Sequence, residues 1–151
     1  MVTIIEGDVV AALQTGVIDV LGHQVNLDGV MGAGIARRIA RTWPPVLPAY
    51  RQALLDHRLA LGGVHWVSVG PSRWVANIAG QQHAQRRGCA TDYAALERGL
   101  HTMAEFLRAH TLRGGLPYGL GCGLAGGDWT VVHAMLLRVF ADTPLTCFRL
   151  P

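Results

Sequence analysis

Two glycine-rich segments carry the chemistry most readily read from this chain, and that chemistry is the binding of anions. The first is Val30-Met31-Gly32-Ala33-Gly34-Ile35-Ala36, and the second runs from Tyr118-Gly119-Leu120-Gly121 through Cys122-Gly123-Leu124-Ala125 to Gly126-Gly127-Asp128-Trp129. Glycine between a strand and a helix lets backbone N–H groups approach an anion closely, and the helix N-terminus adds positive dipole. Two such loops in one small domain read as a clamp on a ligand with more than one phosphate. Tight turns needing positive φ are the other reading, which accounts for single glycines but poorly for the five between positions 119 and 127. His23 and Asp28, just before the first loop, are the candidates for moving protons. An imidazole at position 23 is either a general acid, base or nucleophile towards a terminal phosphate, or a core histidine bonded to backbone. Asp28 is either an acidic group facing a substrate or a turn residue.

All 13 basic residues are arginine; the chain has no lysine. A lysine nucleophile, a Schiff base and a P-loop lysine are therefore excluded, and arginine remains to recognise phosphate in a planar, bidentate way. The net charge of +3 is compatible with an anionic ligand and too small to demand nucleic acid. Cys89, Cys122 and Cys147 lack zinc-like spacing and are odd in number, which fits reduced thiols, a cytoplasmic location and no metal. No cofactor is expected. No apolar run approaches the roughly 20 residues that span a bilayer, and no signal-peptide pattern opens the chain. Residues 1–151 are expected to form a single domain, half of whose residues are hydrophobic.

Elements that could position these loops follow from the pattern. Strands are expected at Val2–Glu6, Val17–Val25, Val64–Val69, Trp74–Ile78 and Leu145–Leu150, with a further apolar stretch before the second glycine loop. Helices are expected at Val9–Leu13, Met31–Arg41, Pro48–Leu59, after an N-cap at Thr91, and after Asp128. Arg37, Arg38 and Arg41 are read as the solvent face of their helix. Alternating strands and helices predict an α/β fold with a mainly parallel sheet, whose ligand lies beyond the carboxyl ends of the strands.

The residues so assembled resemble a macrodomain, the ADP-ribose-binding α/β/α module. They are most similar to the branch holding the terminal ADP-ribose glycohydrolase and the DNA ADP-ribosyl glycohydrolase antitoxin, through Met31 to Ala36 and Gly121-Cys122-Gly123. A likeness around His23 and Asn26 extends to the ADP-ribose-1''-phosphate phosphatases. The resemblance implies a three-layer α/β/α fold with a mixed, mainly parallel sheet. It implies that Asp8, with Val9 beside it, accepts a hydrogen bond from the adenine amino group, and that Asn26 reaches the distal ribose. It assigns Gly32, Ala33, Gly34, Ile35 and Ala36 to one diphosphate loop, and Gly121, Cys122, Gly123, Leu124, Ala125 and Gly126 to the other.

The chain departs from the hydrolases of that branch at two positions. Their adduct-forming lysine falls at Gln81 and their aspartate at Ala125, and neither an amide nor a methyl group can replace those functions. Two catalytic routes remain, one through His23, Asn26 and Asp28, the other through substrate-assisted attack by a positioned water. His83, Arg86 and Arg87 are read as a segment that covers the distal ribose or as a solvated loop. The resemblance thus implies a hydrolase acting on an ADP-ribosylated protein or nucleic acid, or on ADP-ribose-1''-phosphate. The alternative is a reader that binds ADP-ribose, a related nucleotide or an ADP-ribosylated macromolecule without turnover. No membrane partner is expected.

Overall fold

The computed structural model describes residues 1–84 and 88–151. In chain order the elements are β1 (Val2–Glu6), α1 (Val9–Gln14), β2 (Val20–Val25), α2 (Gly34–Thr42), α3 (Val46–Leu55), β3 (Val64–Gly70), β4 (Arg73–Ala79), α4 (Tyr93–His110), β5 (Gly114–Pro117), α5 (Trp129–Val139) and β6 (Leu145–Arg149). The strands form one sheet in the order β1-β6-β5-β2-β4-β3. Only the β3–β4 hairpin pairs antiparallel; every other neighbouring pair is parallel. The mixed, mainly parallel sheet is as expected.

Period-2 alternation divides the core into two layers, as a sheet covered on both faces requires. Leu21 and Val25 of β2, with Val75 and Ala79 of β4, pack against Ile39 of α2 and Tyr50 of α3. Val20, Ala76 and Ile78 face the other way, onto Leu96, Leu100, Met103 and Leu107 of α4 and Leu136 of α5. No helix among the described residues is long and apolar enough to cross a membrane.

Several boundaries differ from the pattern-based expectation, each for a local reason. β2 starts at Val20 because the N–H groups of Val17 and Ile18 both donate to the Ala12 carbonyl, closing α1. Met31 does not start α2; its side chain is buried in the core, and Ala33 remains extended before the helix begins at Gly34. α3 runs earlier than expected, with Pro48 inside its first turn, where its missing N–H is harmless. Asp92, not Thr91, caps α4 through a 3.0 Å bond from Ala95 N–H. The Thr91 hydroxyl is spent on the Gly121 carbonyl at 2.6 Å, which ties the start of α4 to the second glycine loop.

Candidate functional site

Parallel strands point their carboxyl ends the same way, so the turns after β1, β2, β4, β5 and β6 gather along one edge of the sheet. There they line a cleft of about 910 Å³. Strand order fixes its layout. Asp8 and Val9 follow β1, Phe148, Arg149 and Leu150 end β6, and residues from Pro117 to Ala125 follow β5. Asn26 and the loop to Ala36 follow β2, and Gln81 and Ala84 follow β4 at the far end.

The first glycine loop delivers an uncapped helix to this cleft. α1, α4 and α5 each begin on an aspartate whose carboxylate takes a backbone N–H. α2 begins at Ala33 with no side-chain cap, and Ala33, Gly34, Ile35 and Ala36 line the cleft. Unfilled N–H groups and the positive end of the dipole therefore face the space where an anion fits. Gly34 adopts φ +57°, a left-handed geometry that glycine enters cheaply. The second loop faces the first from β5, the neighbour of β2. Its turn closes through Gly126, at φ +74°, where a Cβ would overlap the Gly88 carbonyl. The segment before α4 locks the same loop, with Ala90 N–H donating to the Ala125 carbonyl at 2.7 Å.

Of the residues singled out in the sequence, Asp8, Val9, Asn26, Gly32 to Ala36, Gln81, Gly121, Gly123, Leu124 and Ala125 all line the cleft. Asp8 caps α1 through Oδ1 to Val10 N–H and meets Arg38 Nη2 through Oδ2 at 2.5 Å. That guanidinium holds the Asp8 carboxyl below its ordinary range. Asn26 is pinned by its own loop: Oδ1 accepts from Asp28 N–H and from the Tyr50 hydroxyl, and Nδ2 donates to the Val30 carbonyl. Tyr50 is fully buried, which pushes its hydroxyl up to about 12 and keeps it a donor. The Gln81 amide is held from both sides, accepting from Gln24 Nε2 at 2.8 Å and donating to the His83 carbonyl at 2.9 Å.

Four expected site residues stand elsewhere. His23 is fully buried on the β2 face that packs against α3, and it does not line the cleft. Its Nε2 faces Asn77 Oδ1 at 2.6 Å, and Asn77 Nδ2 faces His65 Nδ1 at 3.2 Å, forming a polar ladder across β2, β4 and β3. The Asn77 oxygen requires the proton on Nε2, while His23 Nδ1 is buried without a partner. Adding a second proton would bury an unpaired charge, so burial lowers the imidazole to about 4. Full burial and a place off the lining count against a catalytic His23 and fit a core residue. Cys122 and Gly126 belong to the second loop without lining the cleft. The Cys122 thiol turns towards the α4–α5 core, where burial raises it to about 11.

Asp28 stands off the lining, and its carboxylate bonds His83 and the Ala84 N–H. Arg86 and Arg87 lie outside the described residues. Residues not anticipated include Arg38, Gln24, Tyr118 and Arg149, which also line the cleft. Arg38 was legible only as a polar helix position; its place four residues after Gly34 turns it back over the α2 N-terminus towards Asp8. The guanidinium of Arg149 lies 5.4 Å from the centre of the Tyr118 ring, walling the β6–β5 side. Among the described residues no group of His, Cys, Asp and Glu is placed to hold a metal ion.

Comparison with known proteins gives the same architecture. No family model matches the chain. A Bacteroides thetaiotaomicron protein of unknown function superposes with a TM-score of 0.89 at 28% identity, covering 99% of this chain and 98% of that one. The macrodomain of Mycobacterium tuberculosis DarG superposes with a TM-score of 0.83 at 27% identity, covering 100% of this chain and 98% of that one. In sequence, the DNA ADP-ribosyl glycohydrolase of Mycobacterium tuberculosis is 26% identical over 147 residues, 95% of this chain. The chain spans 40% of that relative's length. By its sheet order, its paired glycine loops on one cleft and these neighbours, the chain has the macrodomain fold and is similar to the macrodomain of DarG.

Proposed function

We propose that this macrodomain binds ADP-ribose along the cleft and hydrolyses an ADP-ribosyl linkage without a lysine adduct. The observation that carries the binding is the pair of glycine loops, which open on one cleft from the adjacent strands β2 and β5. With the base at Asp8 and Val9 and the diphosphate between the uncapped α2 N-terminus and the second loop, the distal ribose extends to Asn26 and Gln81 at the β4 end. The DNA ADP-ribosyl glycohydrolase relative supports turnover and makes ADP-ribosylated DNA the first substrate to test. The free thiols of Cys89, Cys122 and Cys147 suit a reducing cytoplasm.

A non-catalytic reader is the second reading. Gln81 and Ala125, at the positions where the resemblance expects a lysine and an aspartate, favour it, and both line the cleft.

Calorimetric titration with ADP-ribose, with AMP as control, tests the binding. A dissociation constant on the order of micromolar for ADP-ribose, with AMP much weaker, is expected. No heat at millimolar ADP-ribose overturns the reading. Release of ADP-ribose from a modified oligonucleotide then separates eraser from reader.

A further inference from the structure

The β4 end of the cleft is closed by two loops that grip one another. Leu27 N–H donates to the Gln82 carbonyl at 3.0 Å. One residue on, Asp28 Oδ2 accepts from Ala84 N–H at 2.8 Å, and Asp28 Oδ1 lies 3.0 Å from His83 Nδ1. Both backbones are fixed: Asn26 and Tyr50 hold the Asp28 loop, Arg51 Nε donates to the Gly29 carbonyl at 2.9 Å, and Gln81 holds the His83 carbonyl. An ionised carboxylate only accepts, so His83 Nδ1 carries a proton, and the ring in its neutral form presents an Nε2 lone pair. No hydrogen bond occupies Nε2 among the described residues, and the side chain is 70% exposed. The same contact holds the Asp28 carboxyl below its ordinary range.

Among the described residues, no group that lines this end of the cleft exchanges protons near neutrality. The titratable lining residues Asp8, Arg38, Tyr118 and Arg149 stand towards β1, β6 and β5. Towards the β4 end the polar side chains of the described lining are the amides of Gln24, Asn26 and Gln81. His83, its imidazole oriented by a carboxylate, falls in the chain between the lining residues Gln81 and Ala84 without itself lining the cleft, and it is the proton-exchanging side chain nearest them in sequence among the described residues.

We infer that His83, oriented by Asp28, is the proton-transfer residue of this cleft, acting at the anomeric carbon of the sugar bound at the β4 end. The inference rests on the hydrolase reading above. In the step, a water oxygen bonds to the anomeric carbon and the bond from that carbon to the acceptor breaks, its electron pair leaving with the acceptor. His83 Nε2 takes a proton from the water and delivers it to the acceptor, so an ADP-ribosyl compound and water give ADP-ribose and the protonated acceptor. Asp28 touches no reacting atom; it is a positioning residue.

Single-turnover release of ADP-ribose from a modified single-stranded oligonucleotide and from an ADP-ribosylated glutamyl peptide tests this, with ADP-ribose affinity measured in parallel. His83→Gln is expected to slow release at least about 100-fold on the substrate that wild type cleaves. KM and ADP-ribose affinity should stay within about threefold, since the lost contact acts in the transition state. Asp28→Asn should slow release with KM unchanged, and Asp28→Glu should restore most of the rate; Asp28 is the charged group bonded to His83 among the described residues, and Tyr50 and Arg51 of α3 hold its loop. Added imidazole should partly restore His83→Ala. Wild-type rates in H83Q, or no restoration of His83→Ala by imidazole, overturn the role of His83 and leave the hydrolase reading intact. A wild type that binds ADP-ribose and cleaves neither substrate overturns both.

Discussion

Arg38 of α2 and Asp8 at the head of α1 meet at 2.5 Å inside the cleft wall, so the carboxylate proposed to read the base is already paired with a guanidinium. Each Asp8 oxygen accepts one bond in this state, and a carboxylate oxygen has a second lone pair to offer. The pair need not break for the base to bind. Asp8→Ala should therefore cost about 1–3 kcal/mol of ADP-ribose affinity, the usual loss of a bond to a charged acceptor. Arg38→Ala should cost no more than about 1 kcal/mol, because the pair is partly solvent-exposed. Calorimetry on both variants is the check. An Arg38→Ala loss as large as that of Asp8→Ala would mean that Arg38 itself contacts the ligand.

His23 makes stability depend on pH. Its folded-state value near 4 lies below the unfolded value near 6.5, so the folded protein refuses a proton that the unfolded chain takes up. Stability from the neutral ring is fully present above about 6.5 and is lost as pH falls towards the folded value, by about 1.4 kcal/mol per pH unit. Urea unfolding at pH 7.5 and pH 5 should show wild type losing about 2 kcal/mol more than His23→Gln over that interval. The glutamine has no proton to gain. Since His23 is walled off from the cleft, any turnover should survive in H23Q once it is folded; loss of turnover with ADP-ribose affinity intact would return His23 to the chemistry.

The cleft was legible in the sequence wherever backbone conformation writes the function. Glycines at strand–helix junctions announce close approach, and the residues from Gly32 to Ala36 and at Gly121, Gly123, Leu124 and Ala125 line the cleft. Side-chain direction was not legible. His23 is fully buried within β2, while Gln24 on the opposite face and Val25 at the strand end on the same face both reach the cleft, so position along the strand as well as face decides. Arg38 carried no signal beyond helical polarity, because its partner Asp8 lies 30 positions away in the chain. β5 escaped assignment of bounds for a related reason. Gly114 and Gly115 are weak strand formers, held by parallel neighbours on both sides.

Glycine conformation separates two kinds of substitution in the loops. At Gly34 an added Cβ meets nothing within 4 Å, so Gly34→Ala bears only the left-handed backbone cost of about 1–2 kcal/mol. At Gly126 the same cost is joined by overlap with the Gly88 carbonyl, which must move. Gly126→Ala should therefore lose more stability than Gly34→Ala in thermal unfolding, and should weaken ADP-ribose binding by shifting the second loop. Equal midpoints would show that the Gly88 segment yields freely.

Thiol chemistry tests the packing behind that loop. Burial holds the Cys122 and Cys147 thiols up at about 11 and about 12, so near neutral pH almost no thiolate forms at either. Cys89 is exposed, in the segment that Ala90 ties to the Ala125 carbonyl. Iodoacetamide at pH 8 should thus modify Cys89 first, with Cys122 and Cys147 reacting only after denaturant is added, as read by mass spectrometry of digests. Because Cys122 turns from the cleft into the α4–α5 core, saturating ADP-ribose should not change its protection. Rapid native labelling of Cys122 would mean that the second loop opens readily, and ADP-ribose should then suppress the reaction by holding the loop closed.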